Sequence, residues 1–345
     1  MNYVIVGAGA LGQSFAGLLA QGGQRVTLLA TPRSASRLQA TGALRLHGAV
    51  EATIPVGAGG VLVTRDANDV PDGAAVLFAT KGYDLAEAID TVKTSAGARV
   101  AWAAGVQNGI VKDDLLAHAF GADRIVAAVT IFGANRQPDG SVQVTSPGAT
   151  YFGELSGPIS ERVQQTADTF QAAGIPAQAR DDIASVLWSK ACNATGVFGV
   201  TVLARASTTQ LFANPHFMRA YLVLVRETAA IAAAYGVQVG NYPSFPPIRT
   251  FVDRDEEETV RQLGLTAGPR ATASSPTRSL GRAPGAGPGQ VNYASMTQDL
   301  LAGAPLEVEA IFGDIVRRAE AKALFVPALR LVRDLIRGLD PRQSP

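Results

Sequence analysis

Only one cysteine, Cys192, occurs in 345 residues, so an internal disulfide framework is excluded and a reducing compartment is expected. Histidine is nearly as scarce. His47, His118 and His216 have no Cys, His or carboxylate partner at metal-ligand spacing, and no metal site is expected. An excess of one charge is also missing: 30 basic residues against 29 acidic ones leave a net charge of +1. A nucleic-acid partner usually requires a basic excess or stripe, so none is expected. No apolar run reads as a bilayer span, since AYLVLVRETAAIAAAYG is broken by Arg226 and Glu227. The opening MNYVIVGAGALG begins a strand at once, leaving no room for the charged and apolar regions of a secretory leader. No G-x-S-x-G nucleophile turn occurs. These absences point to a soluble cytoplasmic protein without a membrane partner. What is present is apolar bulk: 47% hydrophobic residues over this length exceed one ordinary core, and two domains are expected.

NYVIV is a short β-rich run bounded by glycine, the pattern of a buried parallel strand. GAGALG follows, then the helical QSFAGLLAQGG, then the strand RVTLL. Gly7, Gly9 and Gly12 thus fall in G-x-G-x-x-G spacing inside a βαβ pattern. Gly7 allows the tight turn, Gly9 lets a pyrophosphate approach the backbone, and Gly12 lets helix and strand pack closely. Ala8, Ala10 and Leu11 complete the turn, and the anion is expected on the helix N-terminus. An NAD site usually places a carboxylate after the second strand, on the ribose 2′-hydroxyl. Here the residues are Ala30, Thr31, Pro32, Arg33 and Ser34. Thr31 and Arg33 suit a 2′-phosphate, so NADP(H) is the expected cofactor; Arg37, one turn on, is a weaker candidate.

AAVLFATK is a further buried strand ending in Lys81, and Asp84 with Glu87 reads as a capping box for the next helix. RVAWAAGVQNGI is a strand running into Gln107, Asn108 and Gly109. Ligands of open α/β sheets sit beyond the carboxyl ends of the strands, which singles out Thr80, Lys81, Gln107 and Asn108. Between residues 124 and 155, short runs separated by P-D-G and S-P-G turns predict antiparallel strands closing the sheet edge.

Beyond Asp181 the strand signals stop. IASVLWSKACN has the composition of a buried helix yet carries Lys190, and a buried ammonium is costly unless it is paired or can lose its proton. Cys192 is expected to pack rather than react. NPHFMRAYLVLVRETAAIAAAYG is a long helix, with Asn214 as cap, Pro215 at its first position and Gly236 at its stop. Residues 264–292 are rich in Gly, Pro, Ser, Ala and Arg and read as a mobile loop. The fold expected is an α/β N-terminal Rossmann-type dinucleotide-binding domain over 1–180, followed by an all-α domain over 181–345.

GAGALG, FATKG, QNG, LWSKACN, SMTQD and LEVEAIFG, in this order, resemble the ketopantoate reductase (2-dehydropantoate 2-reductase) family over nearly the whole chain. The resemblance implies a Rossmann domain and a helical domain with the active site between them. It also implies NADPH-dependent reduction of ketopantoate to pantoate, on the route to pantothenate. Lys190 matches the catalytic general acid. Lys81 and Asn108 match residues at the nicotinamide end, with Asn108 also orienting substrate. Ser295 matches a substrate-contacting serine. Glu307 matches the acidic residue that positions substrate, supports the lysine and is carried over as a cofactor contact. The family's asparagines after the lysine are replaced by Ala194 and Phe198, while Asn193 shares a helix face with Lys190 and is the substitute substrate contact. Phe198 makes a bulkier 2-keto acid the alternative substrate, and a non-catalytic NADP(H)-binding regulator the alternative class. The expected partner is a small 2-keto acid, and the resemblance allows a homodimer.

Overall fold

Runs of β-branched and apolar residues with little to solvate become a sheet buried on both faces. In the computed structural model, which describes residues 1–243, 245–267 and 293–343, the chain opens with β1 (Asn2–Val6), α1 (Ala10–Gln21), β2 (Arg25–Leu29) and α2 (Pro32–Thr41). A hairpin of β3 (Ala43–Gly48) and β4 (Ala52–Pro55) follows, then β5 (Val61–Thr64) and β6 (Ala74–Phe78). After α3 (Leu85–Ala96) come β7 (Val100–Gly105) and α4 (Val111–Phe120). Five strands pair in the order β5-β2-β1-β6-β7, every pair parallel, with Tyr3 opposite both Val26 and Ala75. This strand order is that of the dinucleotide-binding half of a doubly wound sheet.

The segment expected to close that sheet does something else. β8 (Val126–Arg136) and β9 (Val142–Glu154) are antiparallel, as their turns predict, but they belong to a second sheet. In it β9 also pairs with β3 and with β10 (Ala177–Ala179), which follows α5 (Glu161–Ala172). Helix α1 lies in the core shared by the two sheets: the Phe15 ring meets Phe132 of β8 at 5.5 Å and Phe170 of α5 at 5.4 Å, both edge-on.

Contacts divide the chain into two compact units, residues 1–107 with 111–183, and 108–110 with 184–345. The second unit is helical: α6 (Ile183–Ala204), α7 (Thr208–Ala213), α8 (Pro215–Ala234), α9 (Ile248–Asp253), α10 (Glu256–Ala267) and helices at Ser295–Leu301, Asp314–Ala321 and Pro327–Leu339. The expectation that no apolar run is long enough to cross a bilayer needs correction. Helix α6 has 22 residues and a mean hydropathy of 1.2 over its best 18-residue window, but 83% of that window is buried inside the protein. It is the core helix of its unit. Buried hydroxyl pairs Thr195–Thr228 and Thr201–Thr297, each at 2.8 Å, tie it to α8 and to the helix Ser295–Leu301.

The caps of α8 are as expected. Asn214 accepts from the N–H groups of His216 and Phe217, Pro215 is the first helical residue, and Gly236 stops the helix at φ +75°. Two local expectations differ. Asp84 is in helical conformation, led in by a 3₁₀ turn at Gly82–Asp84, so it is not a capping-box residue. The low-complexity stretch begins inside α10, which runs to Ala267; the part from 268 to 292, with Arg270, Arg278 and Arg282, lies outside the described residues.

Candidate active site

The glycine turn joins β1 to α1. Gly7 sits at φ +109°, and a Cβ there would lie 2.9 Å from the Thr80 nitrogen. At Gly12 a Cβ would lie 1.9 Å from the Gly7 carbonyl oxygen, an overlap that no side chain can relieve. Gly9 differs: its Cβ position meets only the Ala79 carbonyl, at 3.9 Å. The turn is therefore closed on the sheet side by Gly7 and Gly12 and open at Gly9, which is exposed. Gly9 is also the N-cap of α1 and has no side chain to offer, so the first N–H groups of the helix are left for a ligand. A dinucleotide pyrophosphate fits this combination of open space and unclaimed donors. Ala8, Ala10 and Leu11 supply the remaining backbone. The sequence reading missed Gln13, which is buried and donates from Nε2 to the Ala8 carbonyl at 2.9 Å, pinning the turn. A glutamine inside an apolar helix gives no signal of that partner.

Thr31 and Arg33 stand at the end of β2, both exposed. Thr31 is the N-cap of α2: its hydroxyl oxygen accepts from the Ser34 N–H at 3.4 Å and lies 3.2 Å from the Ser34 hydroxyl. Its role in the structure is local, whereas the Arg33 guanidinium is exposed.

At the ends of β6 and β7, Lys81 is half-buried and precedes the 3₁₀ turn. Gln107 is buried and donates from Nε2 to the Phe78 carbonyl at 3.0 Å and to the Thr80 hydroxyl at 3.3 Å, tying the two strand ends together. Beneath it, Lys112 and Asp113 form a buried ion pair at 2.7 Å. Adjacent Lys and Asp at a helix start read as a solvated pair, so this interior charge was invisible in the sequence. In a buried site the pairing is obligatory, because either charge alone would be strongly destabilising.

The remaining candidates lie in the helical unit. Lys190 is half-buried on α6, and Asn193, one turn on, accepts from the Tyr221 hydroxyl at 3.1 Å. Cys192 is fully buried, which pushes its thiol pKa well up, so it packs rather than reacts. Ala194 and Phe198 are buried in the apolar core of the unit. Glu307 is buried at 7% exposure, just ahead of a π-helical turn at Glu309–Gly313. Asn108 belongs to this unit too: a Cβ on its neighbour Gly109 would lie 2.1 Å from the Ala310 carbonyl oxygen, so the 108–110 segment is pressed against that π turn. π turns recur at functional sites because they redirect a helix face. Ser295 is exposed at the start of its helix, which Thr297 anchors to Thr201 of α6. The structure thus sets the 108–110 segment against the π turn that follows Glu307 and puts Lys190 and Asn193 on one helix face.

The strand order and glycine turn define a Rossmann-type dinucleotide-binding unit, and a helical unit follows it. The sequence matches the family Ketopantoate reductase PanE/ApbA over residues 3–157 and its C-terminal domain over 182–340, and the chain belongs to that family. It is 27% identical over 338 residues to the 2-dehydropantoate 2-reductase of Pyrococcus abyssi, covering 98% of this chain and 97% of that one. It is 28% identical over 341 residues to the enzyme of the same name from Halobacterium salinarum, covering 98% of each. Among solved structures it is similar to a PanE/ApbA family ketopantoate reductase from Ralstonia eutropha, with a TM-score of 0.76, 25% identity and 99% of each chain covered. A D-mandelate dehydrogenase in complex with NADH and anilino(oxo)acetate shares the fold, with a TM-score of 0.77, 19% identity and 99% of each chain covered.

Proposed function

We propose that this chain reduces ketopantoate to pantoate with NADPH, using Lys190 as the general acid. The observation that carries the reading is Lys190 itself: a half-buried ammonium on an otherwise buried core helix, in a chain that matches both halves of the ketopantoate reductase family. Reducing a ketone requires a hydride at carbon and a proton at oxygen, and bound NADPH supplies the hydride. The open Gly9 turn and the first N–H groups of α1 would hold its pyrophosphate, and Arg33 would pair with its 2′-phosphate. As negative charge grows on the carbonyl oxygen, the Lys190 ammonium stabilises it and then gives up its proton. With its Oδ1 engaged by Tyr221, Asn193 directs its amide N–H groups to a substrate oxygen. Glu307 holds the ammonium in place, Asn108 and Ser295 orient the substrate, and Lys81 lines the nicotinamide end.

The test follows NADPH oxidation by the full-length protein with ketopantoate and with a panel of bulkier 2-keto acids. Ketopantoate is expected to give the highest kcat/KM. Lys190→Ala is expected to lower kcat by about 10²- to 10⁴-fold, the usual worth of a general acid, with the NADPH Kd nearly unchanged. Equal losses in turnover and in NADPH binding would remove Lys190 from the chemistry.

A further inference from the structure

Leu306 is fully buried yet lies outside any helix or strand, between the helix Ser295–Leu301 and the π turn. Buried backbone groups need partners, and a residue outside the regular elements must find them elsewhere. The end of the chain supplies them. The Leu306 N–H donates to Asp340 Oδ1 at 3.5 Å, and its carbonyl accepts from Arg342 Nη2. Asp340 directly follows the helix Pro327–Leu339 and is itself buried, at 2% exposure. Arg342 pairs with it at 2.6 Å and donates its backbone N–H to it at 3.1 Å. Beyond Glu307, Glu309 accepts from Arg337 Nε at 2.7 Å. That pair is exposed and worth little alone, but it comes from the same helix end. Arg337, Asp340 and Arg342 therefore hold the chain on both sides of Glu307. The helix that carries them is anchored at its other end, where Glu227 of α8 accepts from the N–H groups of Ala328 at 3.0 Å and Leu329 at 2.8 Å. Leu329 and Ile336 fix its length in the core of the unit.

We propose that Asp340 and Arg342 are positioning residues, which fix the backbone at Leu306 and so hold the Glu307 carboxylate in its place in the substrate site. The proposal rests on the reductase reading above, in which Glu307 steadies the proton donor, and names what steadies Glu307. The Leu306 carbonyl belongs to the planar peptide that joins Leu306 to Glu307. Holding its oxygen therefore fixes the plane from which the Glu307 side chain departs. On the other flank the π turn meets the 108–110 segment, through the Ala310 carbonyl and Gly109. A chain free to turn at Leu306 would swing the carboxylate, and a misplacement of about 1 Å costs on the order of 10²-fold in rate.

The experiment follows ketopantoate-dependent NADPH oxidation by the full-length protein and, separately, deuterium uptake by its backbone amides. Arg342→Ala is expected to lower kcat/KM for ketopantoate about 10- to 100-fold, with the NADPH Kd held within about twofold. Arg342→Lys, which keeps a charged donor, should recover part of the loss. In a Glu307→Gln background, Arg342→Ala should cost less than about a further twofold, because the charge it positions is already gone. Equal losses in the two backgrounds would overturn the assignment. Uptake in Arg342→Ala should rise in peptides covering residues 306–313 and stay at the wild-type level in α6 and α8. Unchanged uptake at 306–313, or a rise spread evenly over the unit, would also overturn it. If Arg342→Ala fails to fold, Arg342→Lys and Asp340→Asn carry the same cycle and the same uptake comparison. Local uptake that depends on Arg342, in a protein that oxidises NADPH with no keto acid, would leave the positioning pair standing and remove the reductase reading. Turnover with equal losses in the two backgrounds would do the reverse.

Discussion

Gly9 and Gly12 look alike in the motif but are constrained by different things. At Gly12 a Cβ would overlap the Gly7 carbonyl, so Gly12→Ala must push α1 off β1. Overpacking of this kind costs about 1–3 kcal/mol or more, and the variant is expected to melt early and to bind NADPH poorly. At Gly9 the extra methyl meets nothing closer than 3.9 Å, so Gly9→Ala is expected to melt like the wild type and still lose NADPH affinity, because the methyl occupies ligand space. Thermal melts and NADPH titrations on the two variants check the contrast. A Gly9→Ala protein that melts early yet binds NADPH normally would show the open side to be structural. At this scale the sequence was informative where backbone sterics alone decide, as with the glycines and the Asn214–Pro215 cap. It was silent where a side chain's burial and partner come from the fold: Gln13 on the Ala8 carbonyl, and Lys112 beside Asp113 in the interior.

Elements were legible in proportion to how local their cause is. The β1–α1–β2 unit announces itself through strand composition and glycine spacing. The β3–β4 hairpin and the second sheet do not, because β8 and β9 carry the same turn signals whether they extend the first sheet or build another. What separates the outcomes is the long-range pairing of β3 with β9 and the packing of α1 between the sheets. The second sheet is held to α5 by a clamp whose strength can be measured. Glu154, the last residue of β9, accepts from Arg162 of α5 at 2.8 Å and from the Ser160 hydroxyl. Burial by itself would raise its pKa, but the hydrogen bonds from Arg162 and Ser160 and the Arg162 charge hold it below the ordinary value. A carboxylate with a depressed folded pKa stabilises the fold at pH values above its unfolded pKa. That stability is lost as the pH falls through the folded pKa. Glu154→Gln is therefore expected to cost about 2 kcal/mol near neutrality, the worth of a charge-assisted hydrogen bond. The difference from wild type should shrink once the pH drops below the ordinary carboxylate range. Urea midpoints of both proteins across that range test the sign, and a gap that widens in acid would exclude the clamp.

For the whole molecule, composition forecast more than one core, and among the described residues three buried clusters are found: one shared by the sheets, α1 and α5, one between the parallel sheet and α3 and α4, and one around α6 and α8. The site divides between the two units in sequence. The cofactor residues of the first unit sit at strand ends and one glycine turn, and the proposed proton donor sits on a core helix of the second, so the first could be read from spacing but the second only by resemblance. This division makes cofactor binding a test of the first unit's own architecture. A ligand that binds only the folded state raises stability by RT ln(1 + [L]/Kd), about 2.7 kcal/mol at a hundred times Kd. At that same NADPH concentration an Arg33→Ala protein with about tenfold weaker binding is expected to gain about 1.4 kcal/mol, while NADH stabilises both proteins equally. Melting curves with each dinucleotide report the difference directly. Without ligand the variant should melt no earlier than the wild type, because Arg33 is exposed and contributes little to the empty fold. An early melt without ligand, together with an undiminished NADPH shift, would mean that Arg33 supports the helix rather than the cofactor.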